Sequence, residues 1–287
     1  MRNALQANRI IPARDRALID DALAVSVQAA RAATDVIRQS APHLGKLEWI
    51  EKAAADFVTE VDRGAESTII SSIHAEFPGA IIVGEELSPD ADSRSDTLTF
   101  IVDPLDGTTN FLHGFPHYAV SIGVAHGREL VAAVVQNIPR GDMFTASLGN
   151  GTRMNDELVR VSSTDSNSRA LIGTGFPFKN PELLNTYASQ FVAVSKQTAG
   201  IRRAGSAALD LADVACGRFD GFWELVLAPW DVAAGILLVR EAGGVVTDFT
   251  GSPATATPGA FVAGNTHIHP WLLETVQRAA GPHKISE

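Results

Sequence analysis

The sequence has a single cysteine, Cys216, so no internal disulfide can form. This rules out a disulfide-stapled scaffold and agrees with a reducing compartment. No stretch approaches the ~20 consecutive apolar residues of a membrane-spanning helix. The segment from Met1 to Arg16 scatters arginines around no apolar core, so no secretory signal is expected and the expected compartment is the cytoplasm. Positive charge is scarce as well: 23 Lys and Arg stand against 33 Asp and Glu, a formal net charge of −10. Neutralising a phosphate backbone takes a basic surface, so neither direct nucleic-acid binding nor a membrane partner is expected. If an anionic substrate binds, a bound metal is the natural source of positive charge. Internal repeats, low-complexity tracts and clear linkers are missing too.

What is present is ordinary globular composition. The 287 residues are 45% hydrophobic and 20% charged, enough for a large core in one α/β domain or two packed lobes. Helical spacing of Ile19, Ala22, Leu23, Ala30, Ala33, Val36 and Ile37 predicts a helix over 16–39. A second is predicted over 60–76, opened by the capping-box spacing Thr59-Glu60-Val61-Asp62. The apolar run 80–83 reads as a buried strand that delivers Gly84-Glu85-Glu86 at its carboxyl end, and 87–96 as a surface loop. A further strand over 97–102 runs into Asp103-Pro104, and 118–148 reads as an antiparallel series. Helices near 182–196, 206–216, 230–242 and 270–279 then mix with strands near 170–173, 220–224, 245–249 and 260–263. Mixed sheets layered with helices are the expected class.

The informative segment is Asp103-Pro104-Leu105-Asp106-Gly107-Thr108-Thr109-Asn110. Asp103 precedes a proline and is biased to extended backbone, so its carboxylate can project from the end of a strand. Irregular backbone at Leu105 can free a carbonyl as a hard oxygen ligand. Gly107 and Thr108, at a helix start, can aim N–H groups at a phosphate. Glu85 ends the preceding strand and Asp231 opens an apolar helix. Carboxylates from separate strand and helix ends are what a magnesium cluster needs, because magnesium takes oxygen ligands and completes its shell with water and phosphate. Singly, each element has a plain alternative. An Asp at a helix start is usually a cap, Glu-Glu a solvated turn, and Asp-Pro and Asp-Gly ordinary turn dipeptides. The joint pattern carries the argument.

The array Asp56…Thr59…Asp62, Gly84-Glu85-Glu86, Asp103 to Phe111 and Trp230-Asp231 resembles the signature set of the inositol monophosphatase family, in order and approximate spacing. The resemblance extends to His113-Gly114-Phe115-Pro116, Gly205-Ser206-Ala207-Ala208, Glu241-Ala242-Gly243-Gly244 and Ala263-Gly264-Asn265, and it covers about Lys52 to Pro270. The bacterial inositol-1-phosphatase branch is most similar, through Gly173 to Phe178 and Arg202 to Ala212. It implies a five-layer αβαβα sandwich forming one domain over 1–287, with a metal-binding lobe over about 1–150 and a second α/β lobe over about 151–287. It also implies a homodimer, lithium inhibition and magnesium-dependent hydrolysis of a small phosphorylated polyol or sugar-like substrate, myo-inositol monophosphate foremost. By the same resemblance, Glu85, Asp103 and the Leu105 carbonyl would bind one Mg2+, Asp103, Asp106 and Asp231 a second, and Glu85 with water a weaker third. Thr108, oriented by Asp62, would activate water together with Glu85. Gly107 and Thr108 would hold phosphate, and Asp106, Ala207 and Glu224 would contact hydroxyls. Lys52 matches a family lysine near the metals, one residue closer to Asp56 than in some members.

Alternatives within the fold are histidinol phosphatase, 3′-phosphoadenosine-5′-phosphate phosphatase and fructose-1,6-bisphosphatase. From another class comes a regulatory binding protein in a transcription complex. His113, His117, His267 and His269 are expected to be structural or surface residues, Cys216 a core thiol, and Trp223 and Trp230 core aromatics. Arg202-Arg203 is expected to be a solvated or dimer-facing pair.

Overall fold

The computed structural model describes residues 13–46, 50–53, 56–89 and 97–281. The chain opens with helix α1 (Ala13–Ser40), a ribbon of β1 (Ile50–Ala53) and β2 (Asp56–Val58), and helix α2 (Glu60–Glu76). Strands β3 (Ile81–Gly84), β4 (Leu98–Asp106), β5 (Ala119–His126), β6 (Glu129–Asn137), β7 (Met143–Ser147), β8 (Thr152–Met154) and β9 (Glu157–Val159) follow, with a short helix α3 (Thr108–Leu112) after β4. These seven strands form one sheet in chain order, parallel only between β3 and β4. Next come β10 (Leu171–Thr174), α4 (Leu184–Ser195), β11 (Gly200–Arg202), α5 (Ala207–Ala215), β12 (Gly221–Leu227), α6 (Pro229–Glu241), β13 (Val245–Asp248), β14 (Gly259–Gly264) and α7 (Ile268–Ala280). Their strands make a second, mixed sheet in the order β11-β10-β12-β14-β13.

The layers follow from which faces are apolar. α1 and α2 turn Ile19, Ala33, Ile37, Ala65, Ile69 and Ile73 onto one face of the seven-stranded sheet. The other face receives α5 and α6, whose residues are buried nearly all round, as helices sandwiched between two sheets must be. α4 and α7 close the far side of the second sheet, around Tyr187, Trp223, Leu272 and Val276. The result is the expected five-layer αβαβα sandwich. Among the described residues no helix is long and apolar enough to cross a membrane.

The contact of α6 with the first sheet is tight because β5 carries a glycine there. A Cβ on Gly123 would lie 2.6 Å from the Ala233 Cβ and 2.9 Å from α6 backbone. Since the obstacle is backbone, Gly123→Ala must push the helix off the sheet. A loss of roughly 1–3 kcal/mol is expected, readable as a lower urea midpoint with an unchanged slope.

Most predicted elements lie within a few residues of their expected bounds. β4 is the informative exception, because it continues past Val102 to Asp106. Its ladder with β5 passes from Asp103↔Ser121 to Asp106↔Ala119, three residues against two. This is a bulge in which Pro104 has no N–H to give, and the pairing resumes beyond it.

Candidate active site

The bulge puts Asp103 and Asp106 on the rim of a cavity of about 760 Å³. Asp103 is 2% exposed, and its Oδ1 accepts the Leu105 N–H at 3.0 Å. Asp106 Oδ2 accepts the Ser206 hydroxyl at 2.6 Å and the Ala208 N–H at 2.8 Å, which ties β4 to the start of α5. The strand then reverses at Gly107, the cap of α3, with φ +97°. A side chain there would be strained, and its Cβ would stand 3.0 Å from the His117 carbonyl.

Thr108 opens α3. Its Oγ1 is 3.0 Å from Asp62 Oδ1 and 3.1 Å from the Leu105 carbonyl. Asp62 is buried at the third position of α2, where it also accepts from the Thr59 N–H at 2.9 Å and the Thr59 hydroxyl at 2.6 Å. The capping-box spacing is therefore real, and the same carboxylate reaches across to Thr108.

Glu85 follows β3 and lines the cavity. Asp231 lies in the first turn of α6, three residues after its cap Ala228, whose N–H it accepts at 2.6 Å. It thus reaches back to the helix end without being the N-cap itself. Glu224, on β12, lies directly beneath Gly175, where a Cβ would come within 2.1 Å of the carboxylate. Ala207, the first residue of α5, lines the same wall. The cavity thus brings together Glu85, Asp103, Leu105, Asp106, Gly107, Thr108, Ala207, Glu224 and Asp231, with Asp62 behind Thr108. The side chains of Lys52 and Asp56 lie outside the described residues, as do positions 90–96 of the expected surface loop.

Burial and mutual repulsion dominate the electrostatics. Asp103 is pushed well above the usual carboxylate range by burial, then by Glu85, Asp106 and Asp231. Burial likewise lifts Asp106 to about 6 against the bonds from Ser206 and Ala208, and Asp231 to about 8 with Asp106 and Glu85 adding to the rise. Glu224 is raised by burial and then by Asp231. Among the described residues no three of these side chains already converge in ligand geometry. They share a cavity wall and repel one another. The donors are carboxylates and one main-chain carbonyl, and among the described residues the cavity wall holds no histidine or cysteine. Such a set fits a hard divalent cation.

Sequence reasoning missed several residues of the site. Lys179 and Arg203 line the wall, and Arg203 lies over the rings of Phe176 and Phe178, 5.1 and 5.3 Å from their centroids. Both arginines of the Arg202-Arg203 pair are exposed, as a solvated pair would be, but they differ in what they meet: Arg202 bonds the Ile201 carbonyl, while Arg203 lines the cavity. Asn110 donates to the carbonyls of His117, Ala204 and Gly205, joining α3 to the loop before α5. Asp210, buried in α5, also reaches the cavity. Asn110 stands in the Asp103–Asn110 segment, and Arg203 and Asp210 in the block from Arg202 to Ala212, but their spacing does not show that they meet; chain folding brings them together. His269 is buried against Thr247 and Trp223 is stacked on Tyr187, both structural, while Cys216 is only part-buried, at the end of α5.

The model of the inositol monophosphatase family matches residues 19–280. The chain belongs to the inositol monophosphatase family. It is 48% identical to the Nus factor SuhB of Pseudomonas aeruginosa over 259 residues, covering 89% of this chain and 95% of that protein. It is 43% identical to the Nus factor SuhB of Escherichia coli K12, over 89% of this chain and 95% of that protein. Among solved structures, the extragenic suppressor protein suhB of Bartonella henselae superposes with a TM-score of 0.84 at 40% identity, covering 90% of this chain and 99% of that one. An inositol monophosphatase from Anabaena gives 0.80 at 32% identity, over 91% and 97%. Family membership brings a phosphatase-like fold in which metal dependence is general.

Proposed function

We propose that this chain is a magnesium-dependent phosphomonoesterase acting on a small phosphorylated polyol, myo-inositol monophosphate foremost. The observation that carries the reading is the cavity itself, where Glu85, Asp103, Asp106 and Asp231 crowd together beside a threonine hydroxyl held by a buried aspartate. Glu85, Asp103 and the Leu105 carbonyl would hold one ion, and Asp103, Asp106 and Asp231 a second, with a weaker third at Glu85. Bound magnesium supplies charge neutralisation of the phosphate, a more acidic water and stabilisation of the leaving oxygen.

The chain's own residues supply orientation. The Thr108 hydroxyl has one proton and two acceptors, Asp62 and the Leu105 carbonyl. When that carbonyl is engaged elsewhere, the proton points to Asp62, and the oxygen lone pairs turn to receive a hydrogen from water. Glu85 takes up that water's proton while its oxygen attacks phosphorus and the bond to the alcohol oxygen breaks opposite. The departing alkoxide is protonated from solvent. Gly107 and Thr108 present backbone N–H groups to the phosphate, and Asp106, Ala207 and Glu224 meet the hydroxyls. The lobes over about 1–150 and 151–287 act as one domain, with the cavity between contributions from both. The homodimer and lithium inhibition belong to the same reading.

Phosphate release from inositol-1-phosphate, histidinol phosphate, phosphoadenosine phosphate and fructose-1,6-bisphosphate, with magnesium and with or without lithium, tests it. The highest kcat/KM on inositol-1-phosphate is expected, and a preference for another ester would replace the substrate. Glu224→Gln keeps the shape and removes one hydroxyl acceptor. It is expected to raise KM or shift preference by about 10- to 100-fold with little effect on magnesium affinity; a large loss of magnesium binding would refute that role. A second reading is supported by the Nus factor names of the relatives, namely a binding role in a transcription complex. A folded, turnover-dead variant that still rescues a growth defect would favour it.

A further inference from the structure

The mechanism leaves one buried carboxylate of α2 unused. Glu66 stands one helical turn beyond Asp62, on the same face. It is 0% exposed, and its neighbours on that face, Val61, Ala65, Ile69 and Ile73, are apolar. An acid in such a place is costly unless its oxygens are satisfied, and a leucine would serve packing better. The Glu66 oxygens are satisfied by the turn after β3. Oε2 accepts the Glu86 N–H at 2.8 Å and Oε1 the Leu87 N–H at 3.0 Å. The other donors of the turn are engaged as well. The Gly84 N–H reaches the Ser88 carbonyl and hydroxyl, at 3.3 and 3.2 Å, and the Glu85 N–H reaches the Val102 carbonyl of β4 at 3.2 Å.

Four successive N–H groups are thus committed, two of them to one side chain. This fixes the backbone from which Glu85 projects into the cavity. Gly84 shows how close the fit is: a Cβ there would lie 2.1 Å from Glu66 Oε1 and 2.7 Å from its carboxyl carbon. Only glycine lets the strand end settle against this carboxylate.

We propose that Glu66 is the positioning residue for Glu85, holding the turn through the Glu86 and Leu87 amides so that the Glu85 carboxylate is aimed before any cation arrives. The inference rests on the reading of Glu85 as a metal ligand. α2 then acts as a two-armed bracket, with Asp62 steadying Thr108 and Glu66 steadying Glu85. Partners of this kind behind a metal ligand typically change metal affinity by about 10–100-fold when altered.

The test is calorimetric titration of the full chain with magnesium chloride after EDTA treatment, for wild type, Glu66→Gln and Gly84→Ala, alongside amide hydrogen exchange of the metal-free proteins. Glu66→Gln keeps one acceptor and sets an NH2 group against the other backbone donor, while Gly84→Ala displaces the carboxylate from the opposite side. Both are expected to weaken magnesium binding by about 10-fold or more and to speed exchange at Glu86 and Leu87, together with a lower metal-free melting temperature from the mismatched amide or the displaced carboxylate. A merely structural role would lower the melting temperature alone and leave the affinity of the folded protein unchanged. Wild-type affinity in folded Glu66→Gln overturns the inference while the metal reading stands. A wild type that binds no magnesium overturns both. Should neither variant fold, exchange of the wild-type amides decides: protection at Glu86 and Leu87 matching β4 supports the bracket, and rapid exchange there removes it.

Discussion

Replacing Asp103 by asparagine is expected to lower kcat/KM by about 100- to 1000-fold or more and to leave the fold intact. Under the proposed function Asp103 alone serves both principal ions, so its loss weakens the charge stabilisation of both the attacking and the departing oxygen. Even the lower figure corresponds to about 3 kcal/mol of transition-state stabilisation. The fold should tolerate the change for reasons visible around the side chain. An asparagine Oδ1 can still accept the Leu105 N–H that Asp103 receives at 3.0 Å. A neutral amide also suits a position where burial and three neighbouring carboxylates already oppose ionisation. Steady-state phosphate release and a melting curve in EDTA check the two halves. Near-normal turnover would sink the assignment of Asp103, and a collapsed melting temperature would show that the loss of activity comes from unfolding.

That prediction draws on a segment that could be read directly from sequence, and the reason is physical. The chemistry of Asp103 to Asn110 is local: a strand, a proline, a turn glycine and a helix start lie within eight residues. The capping box at Thr59 and the amphipathic faces of α1 and α2 are equally local, so spacing revealed them. What spacing could not reveal is produced by chain crossing. The bulge at Pro104-Leu105 exists only because β5 pairs on both sides of it. Arg203 and Lys179 are far apart in sequence, and only the fold brings both to the cavity. Glu66 was in plain view at i+4 from Asp62, yet a charged residue on a helix ordinarily reads as a solvated face. Only the burial of that face and the donors opposite it reveal its purpose. The short strands β8, β9 and β11 were also missed, being three residues each and below the length at which alternation is readable.

The crowding of carboxylates also makes the metal-free protein sensitive to alkali. In EDTA its melting temperature is expected to fall as pH rises from about 5 to about 8, by roughly 5–15 °C. The sign follows from which state holds the protons. Asp106 and Asp231 have folded values of about 6 and about 8 against an ordinary 3.8, and Asp103, Asp210 and Glu224 are raised too. Between the ordinary and the raised values the folded chain holds more protons than the unfolded one, so stability present at low pH is lost as pH rises through the folded values. Every tenfold gain in proton affinity on folding is worth about 1.4 kcal/mol, so the two aspartates together reach several kcal/mol. Magnesium should flatten the curve, because cations replace protons as the compensating charge, and loading at neutral pH should release protons that calorimetry in buffers of different ionisation heat can count. Asp231→Asn isolates one contributor. The amide can still accept the Ala228 N–H that caps α6, while the repulsion with Asp106 and Glu85 is gone. The metal-free variant should therefore gain on wild type steadily as pH rises towards about 8, at the cost of turnover. A metal-free wild type that becomes more stable across that range would contradict the crowded arrangement itself. A drop that magnesium leaves untouched would show that the cation binds elsewhere.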